Sequence, residues 1–220
     1  MKSRKQRAAY SYGAVIDEKS EIFRHDLYSR IGLQKIFAGK DVLDLGCGYG
    51  PDTINFSEFS KNVTGYDIEF NDLWKENKRK NIKFVQGSSS SLPFKDNSFD
   101  CVYLKDVLHH VEDINKSLKE LKRVTKKGGS IIIIEGNRFN PIFYIYSTRL
   151  KGHDHFKQSD FEKIVSRQFK NYKIKSIEAY PPFKMPMSIY KKVIKLESFV
   201  SKIGFLKSFF SYNIAIIKVD

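Results

Sequence analysis

The stretch "DVLDLGCGYGPDT" (residues 41–53) places three glycines at alternate positions directly after an apolar run. The apolar residues predict a buried strand, and Pro51 suits the first turn of a helix, where its missing N–H loses no hydrogen bond. Between the two, Gly46, Gly48 and Gly50 predict a turn in which no side chain keeps a ligand from the backbone. A glycine turn between strand and helix can hold a nucleotide, a phosphate group or no ligand.

Two further positions narrow the ligand of this turn. Dinucleotide-binding proteins need glycine or alanine three positions after their second glycine, and this chain has Pro51 there. Asp67 ends the next apolar run, in "VTGYDIE", where a carboxylate can accept hydrogen bonds from both hydroxyls of a ribose, and Ile68 can contact an adenine ring. Asp67 could instead cap a helix. The order of strand, Asp44, glycine turn, helix, strand and Asp67 favours an adenosine-type ligand.

Apolar runs alternate with helical patterns along the rest of the chain, which is typical of an α/β domain with a mostly parallel sheet. The consecutive isoleucines Ile131–Ile134 are typical of a central strand covered on both faces. The predicted strands are Asp41–Leu45, Asn62–Tyr66, Ile82–Gln86, Phe99–Leu104, Ser130–Glu135, Tyr172–Glu178 and Tyr212–Val219. The predicted helices are Lys19–Phe37, Pro51–Phe59 and Glu112–Thr125, the last of which should stop at Gly128–Gly129.

Composition and charge limit the class of protein. Cys47 and Cys101 lie in apolar contexts without a disulfide pattern, and no apolar run is long enough to cross a bilayer. The basic start lacks the apolar stretch of a signal peptide, so we predict cytoplasmic localisation. The net charge of +14 favours anionic partners such as RNA, phospholipid headgroups or phosphorylated metabolites, or it indicates only a lysine-rich soluble surface.

Taken in order, the motifs resemble those of the class I S-adenosylmethionine-dependent methyltransferases, particularly the small-molecule type. The family's first motif matches "VLDLGCGYG", and its ribose-binding acid matches "GYDIE". Its third and fourth motifs match "FVQGSSSSLPFKDNSFDCVYLKDVLHHV", and the following helix and strand match "LKRVTKKGGSIIIIEGN". The resemblance runs from about Gly39 to Glu135. It implies a Rossmann-like, seven-stranded, mostly parallel sheet with helices on both faces and an antiparallel last strand, and S-adenosylmethionine as cofactor.

We predict a single methyltransferase domain over residues 1–220, a length sufficient for a substantial core. Within it, residues 1–38 form an N-terminal tail and leading helix, and residues 39–136 form the cofactor-binding core. Residues 137–220 form substrate-side helices and the final strands. In relatives the leading segment often closes over the site, so its candidates for substrate contacts are Tyr10, Tyr12, Arg24 and His25.

The resemblance also implies which residues bind the cofactor. The glycine turn would surround the methionine part, Asp67 would hold the ribose, and the backbone near Leu104 and Lys105 would border the sulfonium. Ser88 and Ser89 would lie beside the adenine amino group. The family usually has an acidic residue in place of Ser88, whose hydroxyl oxygen can still accept a hydrogen bond, with weaker affinity. The predicted cofactor-binding residues are Asp44, Gly46, Cys47, Gly48, Gly50, Asp67, Ile68, Ser88, Ser89, Leu104 and Lys105.

Methyl transfer from a sulfonium is an in-line displacement, so holding the reactants close and aligned supplies much of the catalysis. A general base is useful only where the substrate nucleophile carries a proton that must leave. The candidates are His109 and His110, which follow the fourth strand, and His153 and His155 in "KGHDHF". His110 matches a family histidine that is often structural. The histidines lack compact ligand spacing, so no metal is predicted.

Apolar residues and lysines form a basic amphipathic pattern over Met187–Phe210, interrupted at Gly204. The segment either covers the sheet or the mouth of the site, or meets a membrane or a lipid-like substrate. The apolar positions are Ile189, Val193, Leu196, Val200 and Ile203.

We therefore expect S-adenosylmethionine-dependent methyl transfer to a small molecule, such as a lipid or a quinone-like precursor. One alternative is an RNA methyltransferase, which the net charge of +14 favours. However, "LKDVLHHV" lacks the N/D-P-P-Y/F motif that amino-group methylases of nucleic acids often carry. A second alternative is a non-catalytic protein that binds S-adenosylmethionine. The sequence does not indicate an oligomeric state.

Overall fold

The fold is described from a computed structural model, in residues 18–140, 144, 155–178, 186–200, 203 and 211–220. The strands in these residues are β1 (Asp41–Leu45), β2 (Asn62–Asp67), β3 (Ile82–Gln86), β4 (Phe99–Lys105), β5 (Thr125–Gly136), β6 (Tyr172–Glu178) and β7 (Ser211–Lys218). The α-helices are α1 (Glu18–Ile31), α2 (Leu33–Phe37), α3 (Pro51–Phe56), α4 (Ile114–Val124), α5 (Gln158–Ser166) and α6 (Met187–Val200). Single 3-10 turns cover Asp72–Glu76 and Leu108–His110.

The strands form one seven-stranded sheet in the order β3-β2-β1-β4-β5-β7-β6. The first five strands pair in parallel, and β7 runs antiparallel to both of its neighbours. This confirms the predicted mostly parallel sheet with an antiparallel last strand. Because the connections from β1 lead to β2 on one side and β4 lies on the other, a crevice opens at the carboxyl end of β1.

The isoleucines of β5 pack against helices on both faces of the sheet. On one face, Ile131 and Ile133 pack with residues of α4 and α5. On the other face, Ile132 and Ile134 pack with residues of α1, α2 and α3. Successive side chains of a strand point to opposite faces, so a continuous apolar run is what two covering layers require.

Two predicted helices have different ends in the structure. The leading helix is divided at Gly32, whose positive φ of 80° suits glycine and ends α1. Helix α4 stops at Val124 rather than at Gly128, because Thr125 already begins β5 and pairs with Phe99 of β4. Strand pairing therefore ends this helix before its glycines are reached.

Smaller differences concern two other helices. Helix α3 ends at Phe56 instead of Phe59, and α5 was not predicted. In the part of the chain that the structure describes, no helix has both the length and the apolar character needed to cross a bilayer. The single-domain boundaries and the cytoplasmic localisation stay predictions.

Candidate functional site

The glycine turn between β1 and α3 is shaped by close packing at two of its glycines. Gly46, Gly48 and Gly50 all have positive φ. A Cβ on Gly46 would overlap the side chain of Val107, and one on Gly50 would lie 2.6 Å from the Phe84 ring. A Cβ on Gly48 would meet nothing within 4 Å. The protein itself therefore requires the outer two glycines, whereas the middle glycine presents exposed backbone at the crevice.

Asp67 holds the exposed middle of the turn. Its Oδ2 atom accepts a hydrogen bond of 2.8 Å from the Gly48 N–H, and its Oδ1 atom accepts one of 3.0 Å from the Glu69 N–H. The indole N–H of Trp74 donates to the Gly48 carbonyl at 2.8 Å. Trp74 in turn stacks on Phe84 with 5.2 Å between ring centroids. Trp74 and Phe84 were not predicted, because only the folded chain brings them to the turn.

Asp44 lies behind the turn and is buried. The Thr53 hydroxyl donates to its carboxylate at 2.5 Å, which joins the end of β1 to helix α3. Burial, followed by the nearby charge of Asp52, raises the pKa of Asp44 well above its usual range. Asp44 therefore supports the turn from inside the protein, beside the predicted methionine end of the site. Cys47 is likewise buried in the turn.

Asp52, in the first turn of α3, connects the turn to the leading helix. Its carboxylate accepts hydrogen bonds from Arg24 Nε at 2.9 Å and from the Tyr28 hydroxyl at 2.6 Å. The Tyr103 hydroxyl of β4 donates to its other oxygen at 3.3 Å. Arg24 also contacts the hydroxyl of Tyr49, within the glycine turn, at 3.4 Å. Helix α1 is thus fixed beside the predicted site.

Of the other leading-segment candidates, His25 is exposed and lies edge-on to Tyr28, with 6.2 Å between centroids. Tyr10 and Tyr12 lie outside the described residues. The structure therefore brings Arg24 to the turn through a salt bridge that the sequence pattern did not reveal.

The carboxyl ends of β2 and β3 lie side by side at the open edge of the crevice. The Gly87 N–H donates to the Asp67 carbonyl at 2.8 Å, which brings the serine segment next to Ile68. Ile68 is 67% exposed, and Ser88 is exposed as well. The Ser89 hydroxyl lies 2.9 Å from the Ser117 hydroxyl of α4. Ser88 is thus open to a ligand, whereas the Ser89 side chain also connects this segment to α4.

The segment after β4 carries a close ion pair. Lys105 Nζ lies 2.6 Å from Asp106 Oδ2 and 5.4 Å from the centroid of the Tyr212 ring, while Leu104 is buried. Burial opposes ionisation of Asp106, but Lys105 and the imidazoles of His109 and His155 lower its pKa below the usual value. Asp106 was not among the predicted site residues.

A buried glutamate at the end of β5 organises the same segment. Glu135 Oε1 accepts hydrogen bonds from the backbone N–H groups of Val107, at 2.9 Å, and Leu108, at 2.6 Å. Its Oε2 atom lies 2.7 Å from His109 Nδ1. The only hint in the sequence is a charged residue closing the isoleucine run. Glu135 therefore fixes the loop that carries Asp106.

Three of the four predicted histidines, His109, His110 and His155, lie close together. The His109 ring lies 3.8 Å from the His110 ring and 4.8 Å from the His155 ring, centroid to centroid, and His155 is buried. His153 lies outside the described residues. One ligand-type atom from each of His109, Glu135 and His155 falls within 4.8 Å of the other two. Both Glu135 oxygens already face N–H or imidazole groups, and the absence of a metal stays a prediction.

Known proteins resemble this chain in sequence and in fold. The model of the family described as "Methyltransferase domain" matches residues 43–133. A demethylmenaquinone methyltransferase from Lactococcus lactis is 32% identical over 182 residues, which are 77% of this chain and 71% of the relative. The ubiquinone/menaquinone biosynthesis C-methyltransferase UbiE from Hahella chejuensis is 34% identical over 131 residues, 54% of this chain and 53% of the relative.

The YcgJ protein from Bacillus subtilis, a solved structure, has a TM-score of 0.61 at 21% identity, over 90% of this chain and 99% of that one. The chain belongs to the class I S-adenosylmethionine-dependent methyltransferases. It is therefore a methyl-transferring enzyme, and S-adenosylmethionine is its cofactor, as predicted. The individual cofactor contacts stay predictions.

Proposed function

We propose that this enzyme methylates a quinone-like aromatic small molecule. The observation that carries the proposal is the similarity to the demethylmenaquinone methyltransferase, which extends over 71% of that relative. The polar groups that follow β4 and β5 support it, because they lie at the carboxyl edge of the sheet, beside the glycine turn.

The residues present fit S-adenosylmethionine. The exposed backbone of Gly48 leaves room for a ligand, and the Asp67 carboxylate beside it is partly exposed. Each carboxylate oxygen has a second lone pair, so Asp67 can accept ribose hydroxyls while it keeps Gly48 in place. We propose Ile68 and Ser88 as adenine contacts, and Gly46, Cys47, Gly50, Leu104 and Lys105 as the backbone around the methionine end.

The bound cofactor supplies a methyl group on a sulfonium, whose carbon is attacked in line while the electron pair of the broken C–S bond stays on sulfur. The chain binds and aligns both reactants. Asp67 holds the nucleoside side, and Val107, packed against Gly46, holds the loop after β4 against the turn. The Arg24–Asp52 salt bridge holds α1 beside it. One proton leaves the acceptor for each methyl group gained.

Transfer of labelled methyl groups tests the proposed function. The enzyme should label a short-chain demethylated naphthoquinol, and mass spectrometry should show one added methyl group. Total RNA and vesicle phospholipids serve as competing acceptors in the same assay. Absence of label in the naphthoquinol would contradict the proposal, whether RNA, phospholipid or neither is labelled, and labelling of RNA alone would favour the first alternative.

We further propose that α6 contacts a membrane surface. Its described side chains include the exposed apolar residues Leu196, at 62% exposure, and Phe199, at 66%. Ile189 and Ile203 are exposed too. The helix also contacts β6, so covering the sheet, the first interpretation of the segment, stays open beside the membrane contact. Exposed lysines lie beside these apolar residues, and a basic helix with an exposed apolar side suits an anionic lipid surface. They are Lys191, Lys192 and Lys195.

Replacing Lys191, Lys192 and Lys195 together by alanine should weaken binding to vesicles that contain phosphatidylglycerol by about 100-fold, since each lysine contributes about 1 kcal/mol. Flotation measures the effect. A matched control removes the same charge from α4, through Lys116, Lys119 and Lys122. Equal losses in both triple variants would show that net charge, and not α6, drives the attraction. Absence of binding by the unaltered enzyme would refute the membrane contact.

A further inference from the structure

Asp106 has a backbone conformation that few residues other than glycine adopt. Its φ is 56°, and the only other described non-glycine residue with positive φ is Asn97. Aspartate tolerates this conformation better than most residues with a side chain but less well than glycine, and non-glycine residues in it concentrate at functional positions. The Asp106 N–H donates to the Ile134 carbonyl at 2.8 Å, a bond that any residue but proline makes equally well. The backbone here would suit glycine better than aspartate.

Only one of the two carboxylate oxygens of Asp106 has a partner among the described residues. Its Oδ2 atom pairs with Lys105 Nζ. Among the residues that the structure describes, its buried Oδ1 atom has no hydrogen-bond partner. A buried oxygen without a partner costs about 1–3 kcal/mol, unless a ligand or water supplies a donor. Backbone strain and an unsatisfied oxygen on one residue both point to a ligand contact.

The position of Asp106 indicates which kind of ligand its carboxylate could contact. The next residue, Val107, packs against Gly46 of the cofactor turn, and the preceding Lys105 ends β4 at the crevice. The predicted sulfonium end lies here, so a molecule touching Asp106 lies near the transferred methyl group. An ionised carboxylate only accepts hydrogen bonds, so its partner must carry a donor.

We propose that Asp106 binds the methyl acceptor, with Oδ1 accepting a hydrogen bond from a hydroxyl or N–H group next to the atom that is methylated. The inference rests on the proposed function and deepens it, because it selects acceptors with a donor, such as phenols and hydroquinones, over carbonyl-only forms. Lys105 holds the other oxygen and offsets its charge. Asp106 is thus a substrate-binding residue outside the cofactor site.

Binding of a naphthol and of its methyl ether to the enzyme saturated with S-adenosylhomocysteine tests the proposal without turnover. Calorimetry should show the naphthol bound at least about tenfold more tightly, because a hydrogen bond to a charged group is worth about 1.5–3 kcal/mol. Asp106→Asn should abolish that preference while leaving affinity for S-adenosylhomocysteine unchanged. Asparagine also tolerates positive φ, and its amide oxygen can still accept from Lys105, so the variant should fold.

The matched control is Asn97→Asp, which makes the reverse exchange at the other residue with φ of 56°. It should keep the preference for the naphthol. Absence of a preference in the unaltered enzyme, or its persistence in Asp106→Asn, would overturn the proposal. If the preference depends on Asp106 but no naphthoquinol is methylated, the proposed function fails while the role of Asp106 stands.

Discussion

Glu135→Ala should lower the free energy of unfolding by about 3–5 kcal/mol, because it removes the acceptor of two backbone N–H groups and the partner of the His109 imidazole. The Glu135 carboxylate is fully buried and accepts from the N–H groups of Val107 and Leu108, and it lies 2.7 Å from His109 Nδ1. Alanine leaves a cavity that supplies none of these contacts. Urea unfolding followed by circular dichroism measures the change.

A surface glutamate provides the control for this variant. Glu58 is exposed and lies 3.5 Å from Arg79, so Glu58→Ala should change stability by no more than about 0.5 kcal/mol. Glu135→Gln should be intermediate, since an amide keeps one acceptor oxygen and presents two N–H donors to groups that also donate. A loss below about 1 kcal/mol for Glu135→Ala would show that water or neighbouring groups satisfy these donors.

The effect of Glu135→Ala should extend to methyl transfer in variants that still fold. The loop that Glu135 fixes carries Asp106 and Val107, and Val107 packs against Gly46 of the glycine turn. Loosening this loop misplaces the reactants, and small misplacements cost large factors in rate. Turnover should therefore fall under conditions in which circular dichroism shows a fully folded chain.

Most strands were predictable because they contain apolar runs or alternate apolar and polar residues between polar or glycine positions. Asp41–Leu45, Ile82–Gln86 and Tyr172–Glu178 have the predicted bounds. Helix ends were less predictable, since they depend on contacts distant in sequence. The end of α4 before Thr125 depends on pairing with Phe99. Periodicity within one segment cannot reveal such a partner.

The difference between local patterns and contacts distant in sequence also explains which parts of the candidate site were predictable. The positions of the glycine turn and of Asp67 beside it were predictable, because strand, turn, helix and strand follow one another along the chain. The roles of Glu135 and Asp106 were not predictable from the sequence. Glu135 accepts from N–H groups that lie 27 and 28 residues away along the chain, and Asp106 is distinguished by its positive φ. The Ser117 partner of Ser89 is likewise 28 residues distant. Sequence order identified the cofactor, whereas tertiary contacts decide the geometry of the loop that follows β4.

Asp67→Ala should weaken binding of S-adenosylhomocysteine by about 100-fold or more, because the two charge-assisted hydrogen bonds that we propose to the ribose would contribute about 1.5–3 kcal/mol each. Calorimetry measures the affinity. The carboxylate also accepts from the N–H groups of Gly48 and Glu69, but these contacts are exposed, so water can replace them. The variant should therefore lose far more affinity than stability.

A neighbouring carboxylate separates a ribose contact from a general charge effect. Asp72 is 86% exposed, and its side chain pairs with Lys75 at 2.8 Å. Asp72→Ala changes the net charge by the same amount, a few residues along the chain, and should leave the affinity unchanged. If Asp67→Ala binds S-adenosylhomocysteine as tightly as Asp72→Ala does, Asp67 serves only to hold Gly48, and the ribose must be bound elsewhere. If affinity falls in Asp67→Ala alone, while both variants melt at the same temperature, the loss belongs to the ligand contact, because a disordered turn would lower the melting temperature as well.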